Sequence, residues 1–70
     1  MTVNYSAVVQ QGGDWWIGWV EEVPGVNSQG RTREELLDNL RDALEEALEM
    51  NRADARAAAS GDYEEVSLSA

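Results

Sequence analysis

The sequence predicts an α+β fold, a small antiparallel sheet of three or four strands with one α-helix packed across one face, in the order β-β-β-α-β. Three observations predict it. Every second residue from Val3 to Val9 is apolar or aromatic, residues 15–22 are rich in aromatic and β-branched side chains, and Leu and Ala recur at helical spacing after residue 32. With 70 residues, the chain is expected to form a single domain that spans residues 1–70.

The first two strands are predicted to form a hairpin. Starting at Val3, every second side chain of the first strand is apolar or aromatic, which predicts one buried face. Gly12 and Gly13 suit the turn that follows, because glycine adopts positive φ without steric cost. The second strand is apolar on both sides, with Trp15, Ile17 and Trp19 on one side and Trp16, Gly18 and Val20 on the other. We expect the second set to lie beneath the helix, with Gly18 making space for Trp16.

A turn and a helix cap follow the second strand. Pro24 cannot donate to a sheet hydrogen bond, so it ends that strand, and residues 26–30 are long enough for a short third strand. Thr32 followed by Glu35 is a capping-box pattern, in which the two side chains satisfy each other's backbone N–H groups. This pattern predicts that the helix begins at Arg33.

The predicted helix extends through about residue 51, and into residue 59 if the Ala-rich stretch is included. Its apolar stripe consists of Leu36, Leu37, Leu40, Ala43, Leu44, Ala47 and Leu48. Gly61 lies in a segment that stops the helix. The alternation in residues 62–68 predicts a short closing strand, which is the optional fourth strand of the sheet.

The composition restricts the partners. Fourteen acidic residues against five basic ones give a net charge of −9, which repels nucleic-acid phosphates and anionic membrane surfaces. We therefore expect no direct nucleic-acid or membrane binding, and a basic protein as the complementary partner. The N-terminus lacks the basic start and apolar run of a signal peptide, so we expect a cytoplasmic protein. The sequence has neither Cys nor His, so disulfides and an ordinary zinc site are excluded. Self-association is the remaining means of stabilising so small a domain.

Catalysis is not expected. The commonest catalytic bases and nucleophiles, His, Cys and Lys, are missing, and the carboxylates show no spacing that indicates a paired site. We predict no catalytic residues, no cofactor and no metal ligands.

Residues 13–35 resemble the HicB-like antitoxin family. The resemblance rests on an aromatic strand, then Pro24-Gly25, then Ser28-Gln29-Gly30 with Thr32 and Glu35 leading into a Leu- and Ala-rich helix. It implies a partial RNase H-like fold, a homo-oligomer, and a role in neutralising a small basic RNA-cleaving toxin of the HicA type. Family members that regulate their own operon carry a C-terminal DNA-binding module, for which we expect no room before Ala70. The alternative is a self-assembling structural or regulatory module without a toxin partner.

Two surfaces are candidates for binding. One helix cannot cover both sides of a sheet, so Trp15, Ile17 and Trp19 are predicted to form an oligomer or partner interface. Base stacking on these rings is the alternative, which the acidic charge disfavours. The second surface is an acidic stripe along the helix, formed by Asp38, Asp42, Glu45 and Glu49. We favour a solvated helix face for this stripe over a phosphate-mimicking surface for a basic toxin.

Overall fold

A computed structural model describes residues 4–66 and residue 68 of the chain. It contains three strands, β1 (Ala7–Gly12), β2 (Trp15–Val20) and β3 (Asn27–Gly30), followed by the helix α1 (Arg33–Ala58). The strands form one antiparallel sheet in the order β1-β2-β3, and the helix packs across it. The predicted α+β fold is therefore confirmed. Val3, with which the predicted first strand began, lies outside the described residues.

The pairing register assigns the side chains of the sheet to two faces. Val8 pairs with Trp19 and Gln10 with Ile17, whereas Val9 pairs with Gly18. Directly paired residues point to the same face of a sheet. We call one side the tryptophan face; its strand residues are Val8, Gln10, Gly12, Trp15, Ile17, Trp19, Asn27 and Gln29. The opposite side carries α1.

The helix covers the predicted side of β2. Gly18 and Val20 are buried there, and Trp16 is half-buried against the core. The expectation that Gly18 makes space for Trp16 is wrong. A Cβ at position 18 would lie 3.1 Å from Leu40 Cδ1 and 3.2 Å from Leu36 Cδ2, so this glycine makes space for the helix.

The helix begins where the sequence predicts. Thr32 is the N-cap, with an extended backbone, and its Oγ1 accepts a hydrogen bond of 3.0 Å from the Glu35 N–H. Glu34 and Glu35 add negative charge at the positive end of the helix dipole. The helix ends at Ala58, so it includes the Ala-rich stretch, and Gly61 with φ 81° turns the chain away.

The hydrophobic core is very small. Its buried members are Val20, Val26, Leu36 and Leu40, of which only Leu36 is fully buried, at 0% exposure. Half-buried side chains pack around them: Val9, Trp16, Val23, Ala43, Leu44 and Ala47. Such a core supplies little stabilisation, because burial of apolar area is the main favourable contribution to folding.

The molecule is elongated because α1 outruns the sheet. A helix of 26 residues is about 39 Å long, whereas six-residue strands span about 20 Å. The overall dimensions are 51 × 25 × 15 Å, and the radius of gyration is 15.2 Å. A compact domain of this length has a radius of gyration of about 11 Å. The last turns of the helix therefore project beyond the sheet.

The predicted closing strand does not form in the described part of residues 62–68. Residues 62–66 and 68 carry no strand pairing, and Glu65 instead reaches back to Arg56 over 3.6 Å. Within the described ranges, no helix combines the length and apolar character that a membrane crossing requires.

Candidate protein-binding surfaces

The tryptophan face is open to solvent. Trp15, Ile17 and Trp19 are 39%, 39% and 42% exposed, and no described element lies above them. They stand on the central strand, so both neighbouring strands hold their backbone in place. Every strand residue of this face is uncharged, although the chain as a whole is strongly acidic. The strand residues of this face can therefore approach another protein surface without burying a carboxylate of their own.

The exposed apolar area of the tryptophan face is modest. At these fractions each indole exposes about 60–100 Å², since a whole Trp side chain offers roughly 150–250 Å². With Ile17 and Val8, the patch is near the lower limit of the ~300–600 Å² that forms the largest apolar patch of a typical monomer. More than half of the surface of Trp15 and of Trp19 is covered. The face is large enough to be one part of an interface.

Arg31 adds a positive charge at one end of the tryptophan face. Its guanidinium carbon lies 4.7 Å from the centroid of a Trp15 ring, the geometry of a cation–π contact. No local sequence pattern indicated this contact. Gly30 pairs with Trp16, so the next residue, Arg31, lies opposite Trp15. The pairing register of β2 with β3 is therefore the signal that indicates this contact.

The acidic stripe lies on the solvent side of α1. Its four members are all exposed. Asp38 is paired with Arg41 at 3.0 Å, and Glu49 lies 3.5 Å from both Arg52 and Arg56. The middle two members, Asp42 and Glu45, have no ion pair among the described residues. The stripe therefore has a free anionic centre and neutralised ends.

The two candidate surfaces point in opposite directions. At about 100° per residue, the centre of the acidic stripe lies roughly 180° around the helix from the buried residues Leu36 and Leu40 and the half-buried Ala47. Those residues face the sheet, and the tryptophan face is on the far side of that sheet. The structure thus does not bring the two predicted surfaces together. A partner on one of them leaves the other free.

Two concave regions lie elsewhere. A groove of about 190 Å³ separates the start of β1 from α1 and is lined mainly by Tyr5, Ala7, Leu37, Leu40 and Leu44. A wider, open depression of about 630 Å³ lies between the last turns of the helix and residues 63–66. Among the described residues, no cluster of Asp and Glu has the arrangement of a metal site.

The carboxylate of Glu22 holds the open end of the hairpin. Its Oε1 accepts a hydrogen bond of 2.7 Å from the Ser6 backbone N–H, and this bond lowers the pKa of Glu22 below its usual value of 4.5. The contact joins the end of β2 to the residue that precedes β1. Its position indicates a structural role, as a clasp across the open end of the hairpin.

Comparison of the chain with protein-family models, curated proteins and solved structures finds no match. The resemblance of residues 13–35 to HicB-like antitoxins accordingly stays a prediction from their sequence pattern.

Proposed function

We propose that the chain is a non-catalytic, cytoplasmic protein-binding module of the HicB-like antitoxin type. In this proposal it assembles with copies of itself through the tryptophan face and presents its acidic helix face to a small basic RNA-cleaving toxin of the HicA type. The observation that carries the proposal is the opposite placement of the two surfaces. Copies that stack through an uncharged apolar face leave every acidic stripe pointing outward, where a basic partner can reach it.

Charge supports this assignment of the two surfaces. Two acidic helices that faced each other would repel, whereas the tryptophan face carries no charge on its strands. The free carboxylates of Asp42 and Glu45 are available to pair with the cations with which a toxin binds RNA.

The excess surface of the chain supports self-assembly. Its accessible area is 5637 Å². A compact monomer of this mass exposes about 4,300 Å², so roughly 1,300 Å² per chain is in excess. That excess is larger than the ~800 Å² that each partner of a standard protein–protein interface buries. It equally favours the second candidate function, a self-assembling structural or regulatory module with no toxin partner.

The self-assembly is tested by sedimentation. Replacing Trp15 and Trp19 together with Ser should reduce the wild-type assembly to a smaller species. Met50→Ser is the control, because Met50 is 59% exposed and lies on the helix, away from the tryptophan face. A double variant that sediments like the wild type would show that this face is not an interface.

Toxin binding is tested with a HicA-type toxin, which the proposal expects to be encoded beside the chain's own gene. Replacing Asp42 and Glu45 with Arg should abolish its binding and release its RNA cleavage. Replacing Asp14 and Asp62 with Arg changes the net charge equally but lies outside the stripe, and this control should retain most of the binding. If the wild-type chain assembles but does not bind the toxin at micromolar concentration, the antitoxin proposal is wrong and the self-assembling module without a toxin partner is the remaining function.

A further inference from the structure

We propose that the outer edge of β1 is a second interface, at which β1 of another copy adds antiparallel to it and joins two sheets into one of six strands. This interface is separate from the tryptophan face and does not depend on a toxin partner.

The hydrogen bonds of the hairpin show which backbone groups of β1 point outward. The Glu21 N–H donates to the Ser6 carbonyl at 2.9 Å, and the register continues this pairing through Val8 with Trp19 and Gln10 with Ile17. In an antiparallel ladder, alternate residues bond to the same neighbour. The N–H and C=O groups of Ala7, Val9 and Gln11 therefore point away from β2. Among the described residues, none pairs with them.

The opposite edge of the sheet is protected. β3 has only four residues, and the Gln29 carbonyl accepts a hydrogen bond of 2.9 Å from Asn39 Nδ2 of the helix. The helix packs mainly over β3 and β2, and much less over β1. The unprotected edge of this sheet is thus β1.

β1 lacks the features that keep strand edges apart. Proteins block open edges with charged side chains, proline or bulges. β1 contains none of these, and residues 4–13 carry no charge. In a chain of net charge −9, this uncharged stretch is where a second copy can approach closely without repulsion.

The edge is also complementary to itself. Its outward residues are evenly spaced about Val9, so a two-fold axis at Val9 pairs Val9 with Val9 of the second copy, and Ala7 with Gln11 of the second copy. This register makes about six backbone hydrogen bonds. Such an axis is perpendicular to the sheet. Both helices then lie on one side, and the two tryptophan faces form one continuous surface on the other.

The groove beside β1 is consistent with an interface here. It lies between Tyr5 and Ala7 on one side and Leu37 and Leu44 on the other, at the border of the same edge. A second strand next to β1 continues the floor of this groove and covers apolar side chains that α1 leaves open.

Amide hydrogen exchange on the wild-type chain tests the proposal without a mutation. The amides of Ala7, Val9 and Gln11 should exchange at least tenfold more slowly at high protein concentration than at low concentration. Val8 and Gln10 bond to β2 within one copy, so their exchange should depend much less on concentration. If all five amides respond alike, or if the outward three are unprotected at every concentration, the edge is not an interface.

Disulfide trapping identifies the register, because the chain contains no Cys of its own. In the proposed pairing the Val9 Cα atoms of the two copies lie about 5.5 Å apart, within the range of a disulfide. Val9→Cys should therefore cross-link at least tenfold faster than Val8→Cys, whose Cα atoms would be about 8 Å apart. Faster cross-linking of Val8→Cys would instead indicate contact through the tryptophan face alone and overturn the edge pairing. The Trp15 and Trp19 double variant separates the two proposals, since it should remain a dimer through β1.

Discussion

Replacing Gly30 with Ala is expected to be the most damaging small change in the sheet. A Cβ on Gly30 would lie 2.6 Å from the Leu36 backbone nitrogen and 3.0 Å from the Glu35 carbonyl carbon. Both atoms belong to the first turn of α1. A backbone atom cannot rotate away as the end of a flexible side chain can, so the helix would have to move off β3.

The expected cost is about 3 kcal/mol, the upper part of the 1–3 kcal/mol that overpacking usually costs. A domain of 70 residues has a total stability of roughly 4–10 kcal/mol. The change therefore removes a large part of the stability and lowers the Tm by about 12–24 °C. Displacing the helix would also loosen Leu36, the one fully buried side chain of the core.

The matched control is Gly12→Ala. A Cβ on Gly12 meets no atom within 4 Å, and its φ is not in the left-handed region. This variant should gain about 0.4–1 kcal/mol, because Ala restricts the unfolded chain. Urea unfolding followed by tryptophan fluorescence, at one fixed protein concentration, measures both changes. If Gly30→Ala unfolds within 0.5 kcal/mol of the wild type, α1 does not begin as close to β3 as described.

Three further outcomes are expected. Thr32→Ala should lower the free energy of unfolding by about 0.5–2 kcal/mol. Glu35→Ala should lower it less, since the bond that forms is the one accepted by Thr32 Oγ1 from the Glu35 backbone N–H, which Ala retains. Equal melting temperatures of both variants and the wild type would mean that the cap contributes nothing. The hydrogen bond from the Ser6 N–H to Glu22 should stabilise the fold fully above pH 4.5, and its contribution should be lost as the pH falls through the lowered pKa of Glu22. The difference in unfolding free energy between the wild type and a Glu22→Gln variant should therefore shrink on acidification. A difference that stays constant with pH would contradict this. Duplex DNA or RNA should not bind at physiological salt, which a salt-sensitive gel shift at micromolar protein would disprove.

Local patterns predicted the fold well because each element has its own signal. Alternation in residues 3–10 indicated the first strand, which the structure places at Ala7–Gly12. Aromatic and β-branched side chains located β2, and the Thr32 side chain located the first residue of the helix. The face of β2 that α1 covers could also be anticipated, from the small size of Gly18, although its neighbours in space are Leu36 and Leu40 rather than Trp16.

Contacts between distant residues were less predictable. The approach of Gly30 to Leu36 and the stacking of Arg31 on Trp15 depend on the register and on the angle of the helix, which no local pattern encodes. In residues 62–68, by contrast, a local pattern predicted a strand that does not form in the described part of the segment. Its alternation favours a strand, but among the described residues it has no partner strand, and pairing decides whether an extended segment becomes part of a sheet.

Because the end of α1 projects beyond the sheet, its last turns are surrounded by water and can exchange between helix and coil as an isolated helical peptide does. Residues 51–58 bury almost nothing, so they stay helical through their Ala-rich sequence and through growth from the packed turns before them. Ion pairs from Arg52 and Arg56 to Glu49, and from Arg56 to Glu65, add a little support. At 1 M salt the screening length is about 3 Å, shorter than any of these pairs. High salt and warming should therefore unwind the helix from its far end, shortening it by up to two turns while the sheet beneath its first half stays folded.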